Sequence, residues 1–575
     1  MIDFELSREF DGTYNLVIYL RQFNYEFAQD IYGSDELRDF AKNFAAKHRT
    51  IFIKTVKLVF SYGVVITLPF SSLIRADAAE PFAMSYVYFG STENQIENVR
   101  RSSKVIDTVS PAYFNLHSDG SLDLSSISID FIRELQETDL KIVPFLSNHW
   151  NRSTGNAALD KGESLAKTIA AAIEKYNLDG INVDIENVDH TYRDKYTAFV
   201  KALRENIPPE KEVSVAVAPN PYGWTNGWQG SYDYAKLGYY ADYLMMMTYD
   251  EHYESGEPGP VSSIDFVRNS IDYALEYVSP EKLVIGVPFY GRIWGGNLKG
   301  EGASLNKIEN IINTYRAEVF YDAAHESVCA KFTVFKDSPE TYVNGKPLLP
   351  DTYVIWYENE TSLAKKFKLA ADYGLKGVGN WSTGQEKDSS VWDYYELWLN
   401  GIYFCDIINH FAKDDIIKVC LDGVMIGKSD TEFAPSDKLT RGEAAVIIAR
   451  LLGISPENET VFPDTKNHFA DGYISALYKR GLVNGFDDGT FKPNRHISRA
   501  ETAVMFARIT EPAFHTYVIN YNDVTPSLWS FDEISALTAA GIMQGYSDGT
   551  FKPANAVSRG EMAALVNRIK KAAVK

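Results

Sequence analysis

The sequence predicts an α/β protein in two parts, a (β/α)8 barrel with an α+β insertion and a mostly helical domain of three repeats. From residue 82 onward, apolar strand-like segments alternate with helix-like segments, which is the pattern of a parallel α/β fold. After about residue 400 this alternation stops, and a glycine-rich motif recurs at intervals of 58 and 60 residues. The length of 575 residues also exceeds what one hydrophobic core organises.

The N-terminal stretch is predicted to contain two smaller regions. Residues 1–50 include a strand-like alternation at 13–20, and we assign them no function beyond an expected place inside the cell. Residues 51–79 combine basic residues, an uncharged apolar run at 58–74 and a small-x-small pattern at 76–78, as in an export signal or membrane anchor. The alternative is a buried pair of strands, since Pro69 and several hydroxyl residues disfavour a spanning helix.

Residues 80–400 are predicted to form the barrel. The predicted strands are 83–89, 105–114, 141–146, 180–186, 212–218, 243–249, 283–290 and 377–381. Helices such as 163–176 and 194–206 are predicted between them. The stretch 295–350, between the seventh and eighth strands, is too long for a simple crossover and is therefore predicted to form the insertion, with its own strands at 319–321 and 330–334.

The fourth predicted strand carries an unusual polar row. Asn182, Asp184 and Glu186 alternate with apolar residues, so they share one face of the strand. Burying two carboxylates and an amide is unfavourable unless the groups pair with one another or serve a site. The alternative is an edge strand whose polar face is solvated.

Polar and aromatic residues also end the other predicted strands. In such a barrel the reacting groups lie at the carboxyl ends of the strands, so these residues are candidates for a shared cleft. They are Trp150 after the third strand, Asn220 after the fifth, Tyr249 and Asp250 at the sixth, Tyr290 at the seventh and Trp381 at the eighth. Any one of them could serve packing alone, but their joint placement favours a site.

Composition excludes several function classes. The formal net charge of -20 disfavours nucleic acid as a partner, because phosphate binding needs clustered lysine and arginine. Three cysteines, Cys329, Cys405 and Cys420, fit neither a disulfide framework nor a zinc-ligand spacing. We predict no metal and no cofactor.

The C-terminal motif predicts three repeats, at 404–454, 460–510 and 519–570. GFDDGTFKP at 485–493 recurs as GYSDGTFKP at 545–553, and a weaker copy begins at Gly427. Each unit ends in a helix capped by Ser or Thr with Glu three residues later, a capping box. Folding explains the glycines and the caps. It does not explain the arginine after each cap, so Arg441, Arg499 and Arg559 are predicted to bind a shared ligand.

These motifs resemble two known families. DGINVDIE at 179–186, MTYD at 247–250, GVPFYG at 286–291 and Trp381 resemble, in order, the signatures of glycoside hydrolase family 18 over residues 82–398. The C-terminal part resembles three S-layer homology repeats, of which the first departs by having Thr431 where the others have glycine.

The family resemblance implies cleavage of β-1,4 bonds next to N-acetylglucosamine, without a metal. It implies Glu186 as the general acid, with the substrate's own acetamido oxygen as the nucleophile. Asp184 would hold the acetamido N–H, and Tyr249 would donate to its carbonyl. Asp250 would contact the sugar, and Trp381 would form the floor beneath it. Tyr290, Asn220, Trp150 and Asn182 are the further predicted substrate-binding residues.

Residue 182 departs from the chitinase pattern, which has aspartate there. We expect Asn182 to donate a hydrogen bond to Asp184, so that Asp184 stays ionised over more of the pH range. Asparagine here resembles the branch that cuts spore-cortex or wall peptidoglycan, and the sequence SNHW at 147–150 lacks the glycine pair common in chitinases.

We therefore expect an exported N-acetylglucosaminidase that acts on peptidoglycan. The repeats would tether it to an anionic secondary wall polymer, at the cell wall or surface, with a possible membrane anchor at 51–75. The alternatives are a surface chitinase and a non-catalytic carbohydrate-binding protein.

Overall fold

The computed structural model describes residues 3–8, 14–20, 53–60, 65–69, 81–510 and 521–573. The chain divides into two compact units, Met1–Gly401 and Ile402–Lys575.

Four N-terminal strands form a separate sheet. They are β1 (Asp3–Arg8), β2 (Tyr14–Leu20), β3 (Ile53–Phe60) and β4 (Val65–Pro69), paired in chain order with β2 and β3 parallel. The described part of the apolar run at 58–74 is therefore extended. This agrees with the alternative prediction of a strand pair for this segment and gives no support to a helical membrane anchor. The pattern at 76–78 lies outside the described residues. Within the described ranges, no helix is both long and apolar enough to span a membrane.

The rest of the first unit contains two further groups of strands. Those of the parallel part are β5 (Phe82–Val87), β6 (Thr108–Pro111), β7 (Phe114–Leu116), β8 (Leu122–Asp123), β9 (Lys141–Ile142), β10 (Phe145–Ser147), β11 (Gly180–Asp184), β12 (Glu212–Val217), β13 (Tyr243–Met246) and β14 (Leu283–Pro288). There follow β15 (Tyr290–Gly295), β16 (Leu298–Ser304), β17 (Glu318–Asp322), β18 (Ser327–Val334), β19 (Tyr342–Val343), β20 (Lys346–Pro347), β21 (Asp351–Tyr357) and β22 (Gly377–Trp381).

The helices of this unit lie between those strands, as the alternating sequence pattern predicts. They are α1 (Thr92–Ser102), α2 (Ile129–Leu135), α3 (Arg152–Asp160), α4 (Gly162–Tyr176), α5 (Arg193–Asn206), α6 (Tyr234–Tyr240), α7 (Ile264–Leu275), α8 (Leu305–Tyr315), α9 (Glu360–Asp372) and α10 (Val391–Leu399). The predicted helices at 163–176 and 194–206 correspond to α4 and α5. The side chain of Ser91 caps α1 by accepting from the backbone N–H of Asn94.

One curled sheet holds the candidate site. Its order is β8-β7-β10-β11-β12-β13-β14-β22-β5-β6-β9, and every neighbouring pair except β7–β8 is parallel. Because the strands are parallel, their carboxyl ends lie at one edge. The predicted second strand at 105–114 is shorter than expected, since the chain leaves the ladder between β6 and β7. A cluster of buried residues that includes Tyr86, Phe145 and Met245 packs between the strands, and Trp381 packs against it.

Part of the chain between β14 and β22 forms a second sheet. Five antiparallel strands form a sheet in the order β16-β15-β21-β18-β17, with the short hairpin β19–β20 beside it. The strands predicted at 319–321 and 330–334 lie within β17 and β18.

The second unit is a ring of three repeats. Its described helices are α11 (Lys413–Leu421), α12 (Arg441–Leu451), α13 (Asp471–Lys479), α14 (Arg499–Thr510), α15 (Phe531–Ala539) and α16 (Arg559–Ala573). α12 packs on α13, α14 on α15, and α16 returns to α11. Three backbone hydrogen bonds close the ring, from Leu439 to Val557 at 2.9 Å, from Val557 to Ile497 at 3.1 Å and from Ile497 to Leu439 at 3.0 Å.

Candidate functional site

The acidic row lies where β11 ends. Asn182 and Asp184 are within the strand, whereas Glu186 lies two residues beyond its end and is only partly buried. Tyr249 and Asp250 follow β13 in the same manner. Burial raises the pKa of Glu186 well above its ordinary value, and the negative charges of Asp184 and Asp250 raise it further. The fold therefore brings these carboxyl groups into one electrostatic environment.

The backbone of Glu186 is fixed by Asn148. The Asn148 side chain accepts from the Glu186 N–H at 2.9 Å and donates to the Glu186 carbonyl at 2.8 Å. The preceding carbonyl, of Ile185, accepts from the hydroxyls of Tyr196 at 3.2 Å and Tyr232 at 3.0 Å. Sequence reasoning missed Asn148 as a positioning residue, although it lies within the SNHW stretch at the end of the third strand.

Asp184 is 6% exposed, and burial raises its pKa from 3.8 to about 7. Its Oδ1 atom is buried and receives no hydrogen bond from the described residues. A buried acceptor of this kind is unfavourable unless a ligand supplies a donor. Tyr249 belongs to the same environment. Burial is the main cause that raises the pKa of its hydroxyl, and the negative charges of Asp184 and Glu186 are among the groups that raise this pKa further.

Asn182 does not contact Asp184 as predicted. The hydroxyl of Tyr86 donates to Asn182 Oδ1 at 2.9 Å, and Asn182 Nδ2 donates to Ser214 Oγ at 2.9 Å. The predicted hydrogen bond from Asn182 to Asp184 is therefore wrong, and burial raises the pKa of Asp184. Strand residues i and i+2 point to the same face but lie about 7 Å apart along the strand. Asn182 therefore lies deeper in the fold than Asp184 and is completely buried.

Asp250 is held by two neighbours. Arg292 donates from Nε to Oδ1 and from Nη2 to Oδ2, both at 2.8 Å, and the Tyr290 hydroxyl donates to Oδ1 at 2.6 Å. Asp250 has a φ of 57°, in the left-handed region that non-glycine residues rarely adopt. Tyr290, predicted to bind substrate, is buried, and its hydroxyl helps to hold the Asp250 carboxylate in place. Arg292 follows the GVPFYG motif directly, but no sequence signal linked it to Asp250.

Aromatic side chains line the rest of the edge. Trp381 is partly buried, with ring centroids 5.3 Å from Tyr86 and 5.5 Å from Tyr88. Trp150 is 50% exposed and lies 5.1 Å from Trp228. An exposed indole and a half-covered one are suited to stacking on sugar rings.

Asn220 serves a loop. Its Oδ1 accepts from the Trp224 N–H at 2.7 Å and its Nδ2 donates to the Trp224 carbonyl at 3.0 Å. Both polar ends of this amide are thus committed to the backbone, and Trp224 is left 45% exposed beside Tyr222. Binding of substrate by Asn220 stays a prediction, and neither Tyr222 nor Trp224 was selected from the sequence.

The arginines after the caps are buried between repeats. Each donates from Nε to a backbone carbonyl in the loop of the following repeat: Arg441 to Phe491 at 2.9 Å, Arg499 to Phe551 at 2.8 Å and Arg559 to Phe433 at 2.8 Å. Arg441 also donates to Glu501 at 2.8 Å. The prediction that folding does not need these arginines is wrong, because each joins two repeats.

The contacts that Arg441, Arg499 and Arg559 make with the following repeat are called here the first, second and third seams. The three seams differ in the charged side chains beside the arginine. At the first, Lys492 and Arg495 lie over the ring of Phe486 at 4.3 and 5.1 Å, and they are paired with Asp488 and Glu501. At the second, Lys552 lies 4.4 Å from the ring of Tyr546 and is paired with Asp548. At the third, Ala434 stands at the lysine position. Lys428 replaces the aromatic residue there and is paired with Asp437.

Among the described residues, no group of three or more His, Cys, Asp or Glu side chains is arranged to hold a metal ion.

Two family matches agree with this geometry. Residues 84–386, more than half of the 575-residue chain, match the model described as Glycosyl hydrolases family 18. Residues 404–445, 461–503 and 520–563 match the S-layer homology domain.

Curated relatives match part of the chain. The uncharacterized glycosylase YvbX of Bacillus subtilis (strain 168) is 30% identical over 223 residues, which is 38% of this chain and 60% of that protein, less than two thirds of its length. The cortical fragment-lytic enzyme of the same organism is 26% identical over 306 residues, 51% of this chain and 68% of that protein. A crystal structure of chitinase from Chromobacterium violaceum ATCC 12472 gives a TM-score of 0.49 at 24% identity, covering 56% of this chain and 99% of that chain.

Proposed function

Since this chain belongs to family 18 of the glycosyl hydrolases and carries three S-layer homology repeats that imply attachment to the cell surface, we propose that it cleaves peptidoglycan beside N-acetylglucosamine. The observation that carries the proposal is the group formed by Glu186, Asp184 and Tyr249. It offers a carboxyl with a raised pKa, a buried acceptor without a donor, and a hydroxyl in the same environment.

The first step assigns the proton to Glu186. Burial and the charges of Asp184 and Asp250 raise its pKa and so favour its protonated form, which donates to the glycosidic oxygen as the C1–O bond breaks. The acetamido carbonyl oxygen of the same sugar attacks C1 and forms an oxazolinium ring. Asp184 Oδ1 accepts the acetamido N–H and stabilises the positive charge, while Tyr249 donates to the acetamido oxygen before it attacks.

The second step restores the enzyme. Glu186, now a carboxylate, accepts a proton from water as the water oxygen bonds to C1 and the ring opens. Two displacements at C1 retain its configuration. Asp250, held by Arg292, contacts the sugar from the sixth-strand side, and Trp381 stacks beneath it.

We infer that the sheet closes as a (β/α)8 barrel with the antiparallel region as its insertion. The segment 141–147 supports this closure, because β9 pairs with β6 on one side and β10 pairs with β11 on the other. This closure would place the ends of β11, β13 and β22 around one mouth.

Two observations support peptidoglycan over chitin. Residue 182 is asparagine where the chitinase pattern has aspartate, and its amide bonds to Tyr86 and Ser214. The relative matched over about half of this chain is named for lysis of cortical fragments. Attachment through the repeats would also hold the enzyme beside a wall substrate.

The seams are proposed to bind an anionic wall polymer. Arg441, Arg499 and Arg559 shape each seam, and the exposed cations beside them make the contacts. The seam with Lys492 and Arg495 is expected to bind most tightly, and the seam with Ala434 most weakly. Surface attachment requires export, and residues 51–79 remain our candidate for the export signal or anchor.

Digestion by the full chain tests the substrate. Purified peptidoglycan should gain N-acetylglucosamine reducing ends faster than chitin oligomers of matched concentration, and Glu186→Gln should release none. Release from chitin oligomers alone would make the enzyme a chitinase. Binding to both without release would favour a carbohydrate-binding protein.

A further inference from the structure

A second pocket opens beside the candidate active site. It has a volume of about 580 Å³ and is lined by the ends of β5, β6 and β7 together with the start of α1. Ligand sites in proteins commonly have volumes of about 300–1,000 Å³. The lining is mainly polar and uncharged, with hydroxyl and amide groups from Thr92, Gln95, Asn115, Ser126 and Ser128. None of the proposed catalytic residues contributes to it.

A hydrogen-bonded row crosses the pocket wall. His149 Nε2 lies 2.8 Å from Asn115 Oδ1, and Asn115 Nδ2 donates to Ser126 Oγ at 3.0 Å. An amide oxygen can only accept, so His149 carries its proton on Nε2 in this arrangement. The Ser126 hydroxyl hydrogen is then directed to a further acceptor.

The backbone at His149 is strained in a way that serves this row. His149 and Trp150 have φ values of 48° and 60°, two consecutive left-handed residues that are not glycine. This conformation is unfavourable for residues other than glycine, so the surrounding structure must hold both residues in it. The turn places His149 at the pocket, whereas Trp150 packs on Trp228 and the preceding Asn148 holds Glu186.

Tyr88 connects the pocket to the site. It lines the pocket, and its ring centroid lies 5.5 Å from that of Trp381, the proposed floor of the cleaved sugar. A glycan whose cleaved sugar stacks on Trp381 and that continues over Tyr88 therefore brings its next sugar unit to the pocket.

We propose that this pocket receives the 3-O-lactyl group, as an amide or lactam, of the muramic acid unit next to the cleaved N-acetylglucosamine. The proposal rests on peptidoglycan as the substrate. In that glycan every neighbour of N-acetylglucosamine carries such a group, whereas chitin has only a hydroxyl there. The uncharged lining suits an amide, and the single carboxylate of the wall, Asp123, repels a free lactyl carboxylate.

Binding to the full chain in the Glu186→Gln background tests the pocket. The probes are a tetrasaccharide of alternating N-acetylglucosamine and amidated N-acetylmuramic acid, and chitotetraose of equal length. Gln95→Trp fills the pocket from α1, and Glu97→Trp makes the same change at a residue of α1 outside it. Ser126→Leu narrows the pocket from the opposite wall.

Gln95→Trp and Ser126→Leu should each weaken the muramic probe roughly tenfold and chitotetraose less than twofold, with Glu97→Trp neutral for both. Equal losses on the two probes, or no loss on either, would overturn the pocket assignment. Retained chitotetraose affinity shows that a variant is folded. Failure of the parent enzyme to cut peptidoglycan would instead refute the proposed function, so the two failures are distinguishable.

Discussion

Replacing Asn148 tests whether the acid depends on a positioned backbone. Asn148→Ala removes both hydrogen bonds to Glu186 and leaves its N–H and carbonyl without that partner. Each buried group left unsatisfied is unfavourable by about 1–3 kcal/mol, so the two groups together should lower the free energy of unfolding by about 2–6 kcal/mol. Misplacement of the acid by about 1 Å lowers kcat by roughly a hundredfold.

Asn148→Asp is the matched variant. Aspartate keeps the acceptor for the Glu186 N–H, but it opposes the Glu186 carbonyl with a second oxygen and adds a negative charge beside a carboxyl whose pKa is already raised. The kcat of Asn148→Asp should fall less than that of Asn148→Ala. In the pH–rate profile, Glu186 of this variant should titrate at a higher pH than in the parent. Thermal melting and pH–rate profiles on peptidoglycan measure both effects. A folded Asn148→Ala protein with kcat within twofold of the parent would refute the positioning role.

Three further predictions concern charge. Arg292→Lys keeps a cation but loses the two-pronged contact with Asp250, so kcat/KM should fall roughly tenfold, and an unchanged value would contradict that role. The pKa of Asp184 is about 7 in the fold and 3.8 ordinarily, so the unfolded chain releases this proton first and Asp184 makes stability fall as pH rises from about 4 to 7. Asp184→Asn should remove this share of the fall, about 3 kcal/mol by denaturant titration, whereas an unchanged pH dependence would count against the shift. Arg441→Ala leaves Glu501 partly unpaired and should lower the free energy of unfolding of the repeat domain by about 3 kcal/mol. Lys492→Ala should leave stability unchanged and weaken retention on cell walls, whereas the control Lys428→Ala should change neither. The reverse pattern for Arg441→Ala and Lys492→Ala would contradict the two roles.

Much of the fold was predictable because it depends on local pattern. The strands at β11, β13 and β22 and the helices α4 and α5 follow from apolar periodicity, and the repeats follow from identical motifs. The separate sheet between β14 and β22 could be anticipated from the length of that stretch. The ends of strands were less predictable from the sequence. The fourth strand was predicted to end at Glu186, but its hydrogen-bonded part ends at Asp184.

Side-chain partners far apart in the chain were not predictable. Asn148 and Glu186 are 38 residues apart, and Asp250 and Arg292 are 42 apart, so no spacing indicates either pair. Alternation identified the face that carries Asn182 but not its depth. The arginines were misread because their partners lie in the next repeat, which only the closed ring brings into contact.

Participation of the acetamido oxygen is the central claim, and a substrate series tests it directly. The acetyl group on the cleaved sugar would be replaced by mono-, di- and trifluoroacetyl groups, which progressively weaken the carbonyl oxygen as a nucleophile. With the full chain, kcat/KM should fall steadily along the series, with the β-anomer as the first product. Equal kcat/KM values along the series would contradict the mechanism and place the nucleophile on the protein.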